Sequence, residues 1–263
     1  MGLISAKGEH GSSRNAAPEE TRFLILSTAR SGTNLAIELL KSHPDCFCGY
    51  EIFSQMHVAN NHIPWPLEPP ADLTGLSELR RADPVALIDR LDRLTRERGY
   101  KAVGFKLMYQ ETDETPAARD YLLDNPTVRV FHIHRRNALR RLVSLRRAEQ
   151  TGNWFVEKGQ ETGKPPPVHI SLLDLLWDMD YVRKRELAYG RLDETHSVLH
   201  LTYEEMVGDL AATARQMWSF LGLREWNTLN VRTVKTGNDP LPEAIANYGE
   251  LREQIAELAS FFD

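Results

Sequence analysis

Cysteine is scarce in this chain of 263 residues: only Cys46 and Cys48 are present. Two thiols are too few for a disulfide framework or a four-ligand zinc site, and they suit a reducing, cytoplasmic setting. No apolar run approaches the roughly 18–20 residues needed to cross a bilayer, so no transmembrane segment is expected. The segment Met1 to Glu20 lacks the apolar core of a signal peptide and, rich in glycine, serine, alanine and charge, reads as a flexible tail. An excess of positive charge is missing too. The formal net charge is −5, which argues against general nucleic-acid binding. Beyond the tail there is no internal repeat and no low-complexity block. What remains, 41% apolar and 26% charged residues, is an ordinary globular composition, long enough to bury a real core and read as one domain over residues 21–263.

The most informative stretch runs from Arg22 to Leu40. Phe23 to Leu26 reads as a buried strand, Ser27 to Gly32 as a tight turn, and Thr33 onward as an amphipathic helix. A strand that breaks through a glycine-containing turn into a helix aims several backbone N–H groups at one point. The helix N-terminus adds a partial positive charge there, and Arg30 adds a full one. That makes a cradle for a phosphate-like anion. It departs from the nucleoside-triphosphate P-loop, because Thr33-Asn34 stands where Lys-Ser/Thr belongs. An ordinary βα turn in a parallel sheet remains the plain alternative for this segment alone.

Further along, strands are expected at Ala102 to Met108, Val128 to His134 and Ser197 to Leu201. Helices are expected at 33–42, after the Asp83-Pro84 cap, at about 137–150, at 170–189, up to about Gly222 and at 242–262. In 170–189, Leu172, Leu175, Leu176, Met179, Val182 and Leu187 fall roughly on one side. Residues 54–82, with His57, His62, Trp65 and four prolines, read as a long irregular loop, and 152–168, with Trp154 and Phe155, as a second. Alternating strands and helices imply a P-loop-like, three-layer α/β fold whose central, mainly parallel sheet is flanked by helices. Ligands of such sheets bind beyond the carboxyl ends of the strands. The Ser27–Thr33 turn, Tyr109, His134 and Thr202 lie at those ends.

Six arginines occupy residues 135–147, in pairs at 135/136, 140/141 and 146/147. Charge runs usually form a solvated helix face. Here the first pair directly follows a buried strand at the ligand end of the sheet. Arg136 and Ser144, eight residues apart, could converge on one phosphate, the guanidinium as a bidentate fork and the hydroxyl as a neutral donor.

With both segments in view, the chain resembles the sulfotransferases that use 3′-phosphoadenosine 5′-phosphosulfate (PAPS), in particular the bacterial carbohydrate sulfotransferases of the trehalose and Nod-factor types. Ser27-Thr-Ala-Arg-Ser-Gly-Thr-Asn34 is similar to the family's 5′-phosphosulfate loop, with Arg30 in place of the lysine common in eukaryotic members. The resemblance implies cofactor contacts from Arg30, Ser31, Gly32, Thr33 and Asn34. Arg136 with Ser144 resembles the pair that holds the 3′-phosphate. Tyr203, in Leu201-Thr-Tyr-Glu-Glu-Met206, resembles the tyrosine beside the adenine, and Lys235-Thr236-Gly237 resembles a late loop closing over the 3′-phosphate.

For catalysis the resemblance implies Arg30 as stabiliser of the leaving group and a general base for the acceptor hydroxyl. Eukaryotic members often supply a histidine after Lys-Thr; here the run is Lys106-Leu107-Met108, and methionine cannot serve. Glu51, in Gly49-Tyr-Glu-Ile-Phe53, stands where trehalose-type enzymes carry a catalytic glutamate. Without the resemblance it would read as a solvated loop charge. Lys106 either contacts the transferring group or pairs with a nearby acid. His132 and His134 share one strand face, where histidines are more often structural. No metal is expected, and the acceptor is expected to be a small molecule or carbohydrate, with a homo-oligomer left open. The competing readings are a metal-dependent P-loop-type kinase, disfavoured by the missing lysine and the His-Arg-Arg strand end, and a non-catalytic nucleotide-binding regulator.

Overall fold

The structure is a computed structural model that describes residues 20–54, 73–154, 163–232 and 239–260. Most of the expected tail, the loop residues His57, His62 and Trp65, Phe155, and the proposed Lys235-Thr236-Gly237 loop lie outside the described residues. Five strands, β1 (Thr21–Ser27), β2 (Cys46–Glu51), β3 (Ala102–Met108), β4 (Arg129–His134) and β5 (Val198–Thr202), form one all-parallel sheet in the order β2-β3-β1-β4-β5. The helices in chain order are α1 (Thr33–Lys41), α2 (Leu73–Ala82), α3 (Pro84–Arg96), α4 (Tyr109–Glu114), α5 (Pro116–Leu123), α6 (Ala138–Thr151), α7 (Leu172–Tyr189), α8 (Tyr203–Gly208), α9 (Leu210–Phe220), α10 (Leu241–Ala244) and α11 (Tyr248–Ser260).

The central strands are apolar on both faces because helices cover both. On one face Phe23, Ile25, Phe131, Ile133 and Leu201 pack with Ile37, Leu40, Met217 and Trp218 of α1 and α9. On the other, Leu24, Phe105 and Leu107 meet Leu87, Ile88 and Leu91 of α3 and Leu122 of α5. Asp83 caps α3 as expected, its Oδ1 accepting from the Ala86 amide at 2.9 Å. The chain leaves β1 toward one edge of the sheet and β4 toward the other. The topological switch point, and with it the natural ligand crevice, therefore lies between the carboxyl ends of β1 and β4.

Several expectations are corrected. Cys46–Glu51 is an edge strand, so Glu51 ends a strand rather than lying in a loop. Part of the expected loop 54–82 is helix α2. The chain after β5 makes two helices, α8 and α9, with Asp209 capping the second, and the last helix is split into α10 and α11. The expected apolar side of α7 is largely exposed: Leu175 is buried, but Leu176, Met179 and Leu187 face outward. The plain alternative for the basic run, a solvated face, fails for Arg141 and Arg147 of α6, which are buried and pair with Asp178 and Asp239.

Candidate active site

The turn after β1 has a left-handed backbone at two residues, Arg30 (φ 67°) and Gly32 (φ 90°). Turns of this kind bring successive N–H groups to one side, and the first-turn amides of α1 have no partner within the helix. Two arginines fasten the turn from behind: Arg141 donates to the Ala29 carbonyl at 3.1 Å and Arg135 to the Arg30 carbonyl at 3.0 Å. Gly32 is required on two counts. Its φ disfavours a side chain, and a Cβ there would lie 2.6 Å from the Tyr203 ring. The Arg135 guanidinium in turn sits over that ring, 4.5 Å from its centroid.

Arg30 reaches toward α6, where its Nε–H donates to Ser144 Oγ at 2.9 Å, and its Nη1 donates to the Trp154 carbonyl. Burial, and then the neighbouring Arg135 charge, lower its guanidinium from the ordinary arginine value. Ser144 thus meets Arg30 rather than Arg136. Arg136 is exposed, donates to Thr202 Oγ1 at 3.2 Å, and lies beside Glu205. Its own amide and that of Asn137 donate to the Glu204 carboxylate. No hydrogen bond joins Arg136 to Ser144 among the described residues.

Lys106 is buried and bridges two groups, Glu51 Oε1 and Asn34 Oδ1, each at 2.8 Å. The bridge follows from the sheet: Glu51 and Lys106 are register partners across β2 and β3, just past an irregularity at Gly49. An ammonium from β3 is thereby brought to the first turn of α1, with a carboxylate beside it. Ser31 is buried at the heart of the turn, and its Oγ has no partner among the described residues. A buried, unmatched hydroxyl costs about 1–3 kcal/mol. An anionic oxygen in the cradle would satisfy it, so the residues present fit the phosphate-bearing donor.

Two participants had no assigned role in the sequence. Arg135 is one; the arginine doublet after a strand was its only signal. Glu111 is the other. Its Oε2 accepts from the Met108 amide at 2.8 Å, a helix-start pattern that an acid three residues past a strand end foreshadows. Burial, then the Glu51 charge, pushes Glu111 up to about 8. The folded chain therefore keeps a proton that the unfolded chain releases above about 4.5, so Glu111 erodes stability as pH rises from there toward 8. Glu111→Gln is expected to raise Tm relative to the unmodified chain progressively across that window. A Tm difference that stays flat with pH would show the carboxyl is ionised throughout.

On the opposite face of the sheet, burial and the neighbouring His134 and His200 push His132 down to about 3, which keeps it neutral.

A sequence profile of the sulfotransferase family matches residues 22–228, from β1 through the segment after α9. The chain belongs to the sulfotransferase family. Among this sulfotransferase's curated relatives, nodulation protein H of Rhizobium meliloti (strain 1021) is 24% identical over 247 residues, spanning 92% of this chain and 94% of the relative. Nodulation protein H of Rhizobium tropici is 23% identical over 256 residues, 95% and 96% of the two chains. Among solved structures, a sulfotransferase from Alicyclobacillus acidocaldarius is 20% identical with a TM-score of 0.44, covering 94% of this chain and 92% of that one. A mouse sulfotransferase complexed with PAP is 14% identical with a TM-score of 0.40 over 79% of this chain, which spans 61% of the mouse enzyme.

Proposed function

We propose that this sulfotransferase moves the sulfuryl group of PAPS to a hydroxyl of a carbohydrate or glycolipid acceptor. The observation that carries this reading is the turn between β1 and α1: its carbonyls are tied back by Arg135 and Arg141 while the buried Ser31 hydroxyl inside it has no partner among the described residues. The resemblance of the Ser27–Asn34 turn and of the segment around Glu51 to those of the bacterial carbohydrate sulfotransferases favours the carbohydrate acceptor over other hydroxyl compounds. Trp154, 38% exposed and hydrogen-bonded through its carbonyl to Arg30, offers an aromatic face for a sugar ring.

When bound, PAPS would supply an activated sulfuryl group. Arg30, Ser31, Gly32, Thr33 and Asn34 would hold its 5′ end, with Tyr203 beside the base. Ser144, Arg136 and the Lys235-Thr236-Gly237 loop would hold the 3′-phosphate. Sulfuryl transfer resembles phosphoryl transfer in that the protein mainly positions the partners and neutralises charge. Arg30 and the first-turn amides of α1 would meet the negative charge that builds on the leaving phosphate. Glu51 would take the proton of the acceptor hydroxyl. Lys106, pinned between Glu51 and Asn34, would hold that carboxylate at the mouth of the cradle and place a positive charge near the moving group.

Adenosine 3′,5′-bisphosphate is expected to raise Tm, because it binds the folded chain alone. At about 100 times its Kd the gain is about 2.7 kcal/mol, and each kcal/mol moves Tm by about 2–4 °C at this chain length. Adenosine 5′-monophosphate, which lacks the group assigned to Arg136 and Ser144, should shift Tm far less. Equal shifts from the two nucleotides would remove the 3′-phosphate assignment. A shift that required magnesium would instead favour the kinase reading.

A further inference from the structure

β4 and β5 carry three histidines that the proposed transfer does not use. His132 and His134 are two apart on one strand and so share a face, and His200 is the register partner of His132 on the neighbouring strand. The His132 ring lies 4.1 Å from His134 and 5.3 Å from His200, centroid to centroid. One ring nitrogen from each residue lies within 4.8 Å of those of the other two. Lys106 and Glu51 belong to the opposite side of the sheet, so this cluster is separate from the transfer site.

Stacked imidazoles can be mere packing. Two features speak against that here. Each ring has one nitrogen already engaged by an outer partner: His134 Nδ1 by Glu186 Oε1 at 2.8 Å, His200 Nε2 by Asp193 Oδ2 at 3.0 Å, and His132 Nε2 by the Tyr109 hydroxyl at 2.7 Å. Outer partners of this sort, carboxylates above all, are what orient metal-binding histidines. The second feature is His132 Nδ1. The residue is 1% exposed, and that nitrogen has no partner among the described residues.

We propose that His132, His134 and His200 together bind one borderline-soft transition-metal dication, zinc(II) in the first instance, through His132 Nδ1, His134 Nε2 and His200 Nδ1. An all-imidazole set suits zinc, copper, nickel and cobalt and disfavours magnesium and calcium, which want oxygen. Zn–N bonds of about 2.0–2.1 Å in a tetrahedron place the nitrogens about 3.3 Å apart, so the rings must close in slightly. His200 has room to do so, its side chain being 45% exposed. Three protein ligands leave a fourth position open, and His134 also lines a cleft with Arg135, Arg141, Asp178 and Glu186. The ion would clamp β4 to β5, the two strands whose ends deliver Arg135, Arg136 and Tyr203.

The test uses the full-length chain without a histidine tag, stripped by a chelator and titrated with zinc(II) by calorimetry and with cobalt(II) by visible absorption. The expected result is one equivalent bound per chain, tetrahedral ligand-field bands with cobalt, a Tm increase reversed by chelator, and no response to magnesium. His200→Ala should weaken zinc binding by more than the factor of about 10–100 typical of losing an outer partner, and Asp193→Asn, which spares the fold, by about that factor. Absence of stoichiometric binding, or binding unchanged in both variants, would overturn the proposal.

Discussion

Replacing Arg30 by alanine is expected to lower kcat by about 10²–10³-fold, the usual worth of one donor aimed at charge that develops in the transition state. The substitution is clean with respect to the backbone. Arg30 already holds a left-handed φ of 67°, and alanine adopts it at a similar cost, so Tm should fall only by the worth of the bonds lost to Ser144 and the Trp154 carbonyl, about 0.5–1.5 kcal/mol each. What is lost is a guanidinium that links the turn to Ser144. Since its charge is needed most as the leaving group departs, the loss should fall on kcat more than on donor affinity. Arg30→Lys keeps the charge but not the planar fork, and should recover part of the rate. A variant with intact kcat and weakened donor binding would show that Arg30 only positions the donor.

Glu51→Gln is expected to lower kcat by about 10²-fold or more, the range of a general base. Glutamine keeps the size and an oxygen for Lys106, which sits 2.8 Å from the carboxylate. It cannot accept the hydroxyl proton. Donor binding, read from the Tm shift with adenosine 3′,5′-bisphosphate, should stay near that of the unmodified chain. Turnover at a near-normal rate would show that the base lies elsewhere.

Most of the frame was legible in the sequence because buried parallel strands read as short continuous apolar runs bounded by turns. β3, at Ala102–Met108, coincides with its expected span, and β1, β4 and β5 differ from theirs by a few terminal residues. β2 was not legible. It is a six-residue edge strand with Gly49 inside it and a register irregularity before Glu51, features that weaken the pattern a strand leaves. Periodicity misled in α7, where leucines at helical spacing are exposed, because spacing reports which residues share a face and not whether anything covers it.

At the site, residue types were legible and their pairings were not. The turn Arg30–Asn34 and the arginine-rich run announced anion chemistry. That Ser144 would meet Arg30, that Arg135 would lie on Tyr203, and that Glu51 would face Lys106 depend on strand order and register. One sequence does not encode those in any local pattern. Glu111 was missed for a related reason: its raised pKa comes from burial beneath the sheet end, which its polar neighbours Gln110, Thr112 and Asp113 do not suggest.

The most direct test of the central claim is transfer of labelled sulfate from PAPS, by the purified chain, into a panel of sugars, glycolipids and phenols. The expected result is incorporation into a carbohydrate hydroxyl, without added magnesium, that is lost in Arg30→Ala and Glu51→Gln. Incorporation into no hydroxyl of the panel, together with phosphate transfer from ATP that depends on magnesium, would contradict it.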